Sequence, residues 1–253
     1  MSERNGYEPG VPCWVDTRQP DAAAAVDFYT HLFGWEAEPS GDYTFLRLRG
    51  RDVAAVGAGD CPAWSTHIWV ENADETAARV ADAGGRVVTA PFDVPGTGRT
   101  AVLADTAGAE FSAWQPAGHE GAQRVNEPGA WAMSALSTPD LDGAKAFYGS
   151  VFGRETDTFA AGDLEVTLWR LPGFVGGEPE QPVPADVIAT AAHGDVARWD
   201  IDLWVDDPDA TAARAAELGG TVVAGPFDMP IGRRAVLADP QGATFSISRV
   251  VPA

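Results

Sequence analysis

Apolar and polar residues alternate over PCWVDTR, residues 12–18, with the period of a strand that has one covered face. Pro20-Asp21 then opens a stretch in which Ala22, Ala25, Val26, Tyr29 and Phe33 recur at helical spacing, and Gly34 stops it. Two short strand patterns follow, YTFLRLRG and RDVAAVGA, the second closed by glycines. The order then begins again. THIWVEN reads as a strand and ADETAARVADAGG as a helix ended by two glycines. RVVTA, RTAVLA and AEFSAWQ read as strands separated by turn residues. The predicted unit is strand–helix–three strands, βαβββ.

The same pattern returns in the second half of the chain, with the residues as well as the spacing. VDFYTHLFGWE around Tyr29 matches KAFYGSVFGRE around Tyr148, and HIWVENADETAARVADAGGRVVTAPFD matches DLWVDDPDATAARAAELGGTVVAGPFD. GRTAVLADTAGAEFS likewise matches GRRAVLADPQGATFS. The unit therefore occurs four times, in two tandem domains. The expected boundaries are a flexible N-terminus at 1–9, a first domain at 10–118, a linker at 119–129 and a second domain at 130–251. The second copy carries extra residues somewhere in LPGFVGGEPEQPVPADVIATAAHGD, a Gly/Pro-rich composition that predicts a long loop of the lid or binding-loop kind.

Composition narrows the function classes. With 45% apolar residues over 253 positions the chain is globular, and no apolar run approaches the ~20 residues of a membrane span. The opening MSERNGYEPG lacks the apolar core of a signal peptide. Cys13 and Cys61 form no CxxC pattern, so a cytoplasmic protein is expected. The net charge of −20 repels phosphate backbones and anionic lipid, which argues against nucleic-acid and membrane partners. No G-x-S-x-G, P-loop or dinucleotide fingerprint is present.

The FYxxxFG helix ends, the D-x-x-G-A-x-F-S turn and the fourfold unit resemble the vicinal-oxygen-chelate superfamily of glyoxalases, bleomycin-resistance proteins and extradiol dioxygenases. Closest in pattern are the tandem two-domain glyoxalase-like proteins of bacteria that are often labelled hydroxylases. The resemblance covers about residues 10 to 251. It implies an α+β fold of two glyoxalase/bleomycin-resistance-type domains, each a pair of βαβββ units curling its sheet into a cup. Such a cup holds a ligand, but the fold leaves the activity open.

In metal-using members the resemblance implies ligands on the first strands of the two half-units and on the last strand. Those positions here are Trp14, His67 and Ser112 in copy one, and Met133, Asp202 and Ser246 in copy two. Tryptophan offers no ligand atom and serine a poor one, so no metal cofactor is the favoured expectation. The alternative is a divalent ion on a set shifted by one pleat, Asp16, His67 and Glu110.

By strand alternation Trp14, His67, Trp69, Ser112 and Trp114 share one face in copy one. Trp131, Met133, Asp202, Trp204, Ser246 and Ser248 share the matching face in copy two. Trp64 and Trp199 precede their strands and are expected at the cup rims. Aromatic walls with a few polar groups suit a planar or aromatic organic molecule, so metal-independent binding or sequestration is the first functional reading. Asp202 is expected to line an open cavity or to meet an arginine, and to favour a cationic or hydrogen-bond-donating ligand. The alternative is an enzyme, a glyoxalase-type lyase or a hydroxylase or dioxygenase. It would use His67 as base, with Glu110 beside it, or His67 as ligand of an atypical metal. His119 in the linker and His193 in the insert are expected in solvated loops, and His31 facing water. Arg99 and Arg233 are read as hairpin residues, or as contacts to an anion. The partner is a small organic molecule, and the chain is a monomer or a homodimer.

Overall fold

The fold, from a computed structural model, is described for residues 3–161, 164–176, 186–230 and 232–250. The first copy begins with β1 (Pro12–Gln19), α1 (Ala22–Phe33), β2 (Glu36–Ser40), β3 (Tyr43–Leu48) and β4 (Arg51–Ala58). Its second unit is β5 (Ala63–Trp69), α2 (Ala73–Asp82), β6 (Arg86–Val94), β7 (Gly98–Ala104) and β8 (Glu110–Pro116). The second copy repeats this with β9 (Trp131–Thr138), α3 (Leu141–Phe152), β10 (Glu155–Ala161), β11 (Leu164–Arg170) and β12 (Val187–His193). It ends with β13 (Arg198–Trp204), α4 (Pro208–Glu217), β14 (Thr221–Met229), β15 (Gly232–Ala238) and β16 (Thr244–Val250). Each copy is one open eight-stranded sheet, ordered β2-β3-β4-β1-β5-β8-β7-β6 and β10-β11-β12-β9-β13-β16-β15-β14. The βαβββ unit occurs four times, as the sequence pattern requires.

Local chemistry places the helices where the periodicity puts them. The Asp21 carboxylate caps α1 by accepting from the Ala24 amide, and Gly34 closes it at φ 69°, a left-handed conformation that glycine adopts without penalty. Asp140 and Gly153 do the same for α3. Arg99 and Arg233 serve the architecture. Arg99 donates to Asp74 in the first turn of α2 and to Asp93, and Arg233 donates to Asp209 in the first turn of α4 and to Asp228. Both guanidiniums are thus engaged by carboxylates, and the anion-contact expectation is corrected.

The core lies between the copies. One cluster joins Val15, Phe28, Tyr29 and Leu46 of the first copy to Ile201, Leu203, Leu237 and Phe245 of the second. The other joins Ile68, Val80, Leu103 and Phe111 to Leu136, Phe147, Tyr148 and Trp169. Each half-unit thus packs on the opposite half-unit of the other copy. The two sequence motifs meet at this seam. The Tyr29 hydroxyl donates to Asp239 Oδ2 at 2.9 Å and accepts from Trp64 Nε1 at 3.0 Å. Its counterpart Tyr148 donates to Asp105 Oδ2 at 3.2 Å and accepts from Trp199 Nε1 at 2.9 Å. Trp64 and Trp199, expected at the cup rims, are instead buried in this seam. In β5 and β13 they point to the face opposite His67 and Asp202, as alternation one residue further back requires.

Two other expectations change. Residues 3–9 were expected as a free tail, yet they lie along the connector between the copies. The Arg4 amide donates to Gln123 O, the Tyr7 hydroxyl donates to Ala122 O, and Glu3 pairs with Arg124. The insert is also shorter than it reads. VIATAAH forms β12, the counterpart of β4, running parallel to β9. His193 is its exposed last residue rather than part of a lid, and residues 177–185 of the expected loop lie outside the described residues. His31 is exposed on α1, as expected.

Candidate functional site

Strand register sets the two cups. Trp14 pairs with His67 across β1 and β5, and His67 with Ser112 across β5 and β8. Met133, Asp202 and Ser246 form the equivalent row in the second copy. The rows correspond in backbone, but their surroundings have diverged.

Cup one is filled by the protein's own rings. The His119 imidazole comes back from the connector and packs edge-on against Trp14 at 4.5 Å, 5.3 Å from Phe45 and 6.1 Å from Trp114. Trp114 Nε1 donates to His119 O at 2.8 Å, holding the connector down. His119 was expected in a solvated loop. Its burial comes from the aromatic face beneath it, which no water-exposed linker would cover. Under this lid His67 Nε2 meets Asp16 Oδ1 at 3.0 Å, the Tyr43 hydroxyl donates to Asp16 Oδ2 at 2.9 Å, and Trp14 Nε1 donates to that hydroxyl at 3.0 Å. Burial works to raise the Asp16 pKa, but the charge and hydrogen bond of His67, with Arg18 and Tyr43, outweigh it and hold the carboxyl low. His67 is 7% exposed and Ser112 5%. Trp69, on the same face, is half-buried. Glu110 is not part of this network. It sits at the exposed start of β8, 3.7 Å from Arg86, so its expected place beside His67 is corrected. The residue that orients His67 is Asp16.

Burial pushes the His119 imidazole down to about 4, with Asp52 opposing and His67 adding to the fall. The unfolded chain, titrating near 6.5, then binds more protons than the folded one between about pH 6.5 and 4. Stability should fall across that window and level off below it. The cost at pH 4.5 is on the order of 2 kcal/mol. His119→Phe should remove this part of the acid sensitivity. Melting temperatures at pH 7 and pH 4.5 should diverge less in the variant than in the wild type, and equal losses would contradict the buried imidazole.

Cup two is open. A cavity of about 330 Å³ is walled by Met133, Phe159, Val166, Leu168, Trp204 and Met229. Asp202, Arg234 and Ser248 supply its polar wall. The Ser248 hydroxyl donates to Asp202 Oδ2, Arg234 Nη2 donates to Ser246 Oγ at 2.7 Å, and Arg234 Nε stands 3.9 Å from Asp202 Oδ1. Burial raises the Asp202 pKa, against the charge of Arg234 and the Ser248 hydrogen bond. Ser246, which accepts from Arg234, is buried. Trp131 turns instead to an adjoining cavity of about 320 Å³ with Tyr7, Val11 and Phe174, so Trp204 is the tryptophan lining cup two.

Arg234 has no place among the sequence candidates. Its signal was present: GRTAVLAD and GRRAVLAD differ at one position, Thr100 in copy one and Arg234 in copy two. Thr100 donates to the Ala113 carbonyl, whereas Arg234 reaches Ser246.

The donor chemistry does not suit a metal ion. In cup one the Asp16–His67 pair has Trp14 and Ser112 for neighbours, and Glu110 is turned to Arg86. In cup two a guanidinium stands beside the Asp202 carboxylate. Among the described residues no group of three or more His, Cys, Asp and Glu is arranged to hold a metal, so the shifted set does not assemble. Among the described residues, too, no helix is long and apolar enough to cross a membrane.

The chain has recognisable relatives. The sequence pattern of a glyoxalase-like domain matches residues 14–114 and again 133–248. "Putative glyoxylase CFP32" of Mycobacterium tuberculosis (strain CDC 1551 / Oshkosh) is 39% identical over 268 residues, which cover 100% of this chain and 99% of that protein. "Anthracycline biosynthesis protein DnrV" of Streptomyces peucetius is also 39% identical, over 266 residues, 95% of this chain and 94% of that one. Among solved structures, a Mn(II)-bound glyoxalase from Novosphingobium aromaticivorans superposes with a TM-score of 0.65 at 16% identity, over 95% of this chain and 82% of its own. The 2,3-dioxygenase LapB from Pseudomonas sp. KL28 also gives a TM-score of 0.65, at 11% identity, over 96% and 93% of the two chains. At these identities the structures speak for the fold alone.

Proposed function

We propose that this chain, which belongs to the glyoxalase-like domain family, binds a small planar or aromatic organic molecule in its second cup without a metal ion. The observation that carries this reading is the cavity bounded by Met133, Phe159, Leu168 and Trp204, with Asp202 and Arg234 in its wall. Its volume of about 330 Å³ falls at the small end of the ligand-pocket range, and apolar walls around a few fixed polar groups favour a flat, mostly apolar ligand. The DnrV relative is named for anthracycline biosynthesis, and a planar polycyclic compound of that kind has the shape such walls accept. Cup one, closed by its own rings, takes a structural role.

The test is a titration of the chain with planar aromatic compounds, read by quenching of tryptophan fluorescence. One site per chain is expected, weakened at least tenfold (~1.4 kcal/mol) by Asp202→Ala and unchanged by His67→Ala. Failure to bind any of the panel would end the reading.

One observation favours a second reading. The 3.0 Å contact between His67 and Asp16 is the pairing of an oriented general base, as an enzyme of the same superfamily would use. For it to act, the connector carrying His119 must lift from cup one. Binding or turnover that follows His67 and ignores Asp202 would favour this reading over the first.

A further inference from the structure

We propose that cup two selects an uncharged ligand bearing a hydroxyl group, which donates to Asp202 and accepts from Arg234. This deepens the proposed function and rests on cup two being the ligand site.

The argument starts from charge. The chain carries −20 overall, yet the charged residues lining this cavity are two acids, Asp200 and Asp202, and two arginines, Arg234 and Arg249. Asp200 is further engaged by Arg198 at 2.8 Å. A cationic ligand would meet the fixed charge of Arg234, and an anionic one that of Asp202. Either would bring an uncompensated charge against Met133, Phe159, Val166 and Leu168, where desolvation is costly. The earlier expectation of a cationic or hydrogen-bond-donating ligand therefore narrows to the donor.

Geometry points the same way. Asp202 and Arg234 stand 3.9 Å apart at Oδ1 and Nε, beyond hydrogen-bond length, with side chains 15% and 29% exposed. Both of these atoms are themselves buried and neither has a hydrogen-bond partner among the described residues, so a ligand oxygen reaches them by parting the two side chains. The carboxylate can only accept and the guanidinium can only donate. A hydroxyl does both through one oxygen, and its insertion between them would satisfy the two atoms, Asp202 Oδ1 and Arg234 Nε, that the fold leaves without a hydrogen bond. The raised proton affinity of Asp202 strengthens it as acceptor. In copy one the place of Arg234 is taken by Thr100, whose hydroxyl is spent on the Ala113 carbonyl, so this pair belongs to cup two.

A matched naphthalene series tests the inference, with affinities measured by calorimetry or Trp fluorescence. 2-Naphthol should bind at least about tenfold more tightly than 2-methoxynaphthalene, which keeps the ring and the acceptor but loses the donor. It should also exceed 2-naphthoate and 2-naphthylmethylammonium by a similar factor. The variants supply reciprocal readouts. Asp202→Asn leaves Arg234 uncompensated and should move the preference toward 2-naphthoate. Arg234→Gln leaves Asp202 uncompensated and should move it toward the ammonium. Near-ultraviolet circular dichroism checks that both variants are folded. Equal binding of naphthol and its methyl ether, in a site that Ala135→Phe abolishes, would overturn the hydroxyl inference and leave the cup reading standing. Absence of binding by the whole series to the wild type would count against cup two itself.

Discussion

Asp239→Ala should lower the folding stability by about 3–5 kcal/mol, the largest effect expected of any single substitution in the chain. The residue is 3% exposed and both carboxylate oxygens are in use. Oδ1 accepts from the amides of Gln241, Gly242 and Ala243, fixing the turn into β16. Oδ2 accepts from the Tyr29 hydroxyl at 2.9 Å and from Gln19 Nε2 at 2.7 Å, tying that turn to the other copy. Truncation would leave the buried Tyr29 hydroxyl without its acceptor, strip Gln19 Nε2 of one of its two acceptors, and release the amides of Gln241 and Ala243. Asp105, which holds Tyr148 without a glutamine partner, should cost less when truncated. Urea unfolding of the two variants measures both. A loss under about 1 kcal/mol for Asp239→Ala would mean that the seam between the copies does not hold the fold.

The second large effect is on binding. Ala135 lines cup two at the position where cup one has Asp16. A phenylalanine there would project into a cavity of about 330 Å³ rather than into packed core, so little overpacking strain is expected. Ala135→Phe should weaken aromatic ligands on the order of 100-fold, about 2.7 kcal/mol, with the melting temperature within a few degrees of wild type. Retained affinity in a folded Ala135→Phe protein would move the ligand site elsewhere.

Most of the fold was legible because its signals are local or repeated. Helix periodicity bounded by Asp21 and Gly34 located α1, and the match of Tyr29 to Tyr148 located α3. β2 carried no such signal. EAEPS is exposed at every residue, so no apolar alternation marks it, and only the repeat of the unit called for a strand there. β12 was hidden by the Gly/Pro-rich residues before it, although VIATAAH has the small and apolar character of its first-copy counterpart β4.

The site was legible as positions but not as surroundings. Alternation put Trp14, His67 and Ser112 in one row, and Met133, Asp202 and Ser246 in another, as the register has them. Whether a row faces open space depends on residues far away in sequence. His119 closes cup one from the connector, at a position that composition alone marks as solvated. The Trp64 and Trp199 indoles went to the seam because Tyr29 and Tyr148, over thirty residues away, offered their hydroxyls. Glu110 lost its place because it stands at the exposed start of β8, where it faces Arg86 of β6 across β7.

The central claim is that cup two binds a planar organic ligand without a metal, while cup one is closed. Its most direct test is the stoichiometry of 2-naphthol binding by calorimetry, before and after exhaustive chelation, with elemental analysis of the same samples. The account predicts one molecule per chain, the same affinity after chelation, binding kept in His67→Ala and lost in Ala135→Phe. Binding that requires a stoichiometric metal and disappears in His67→Ala, while Ala135→Phe keeps it, would contradict the account.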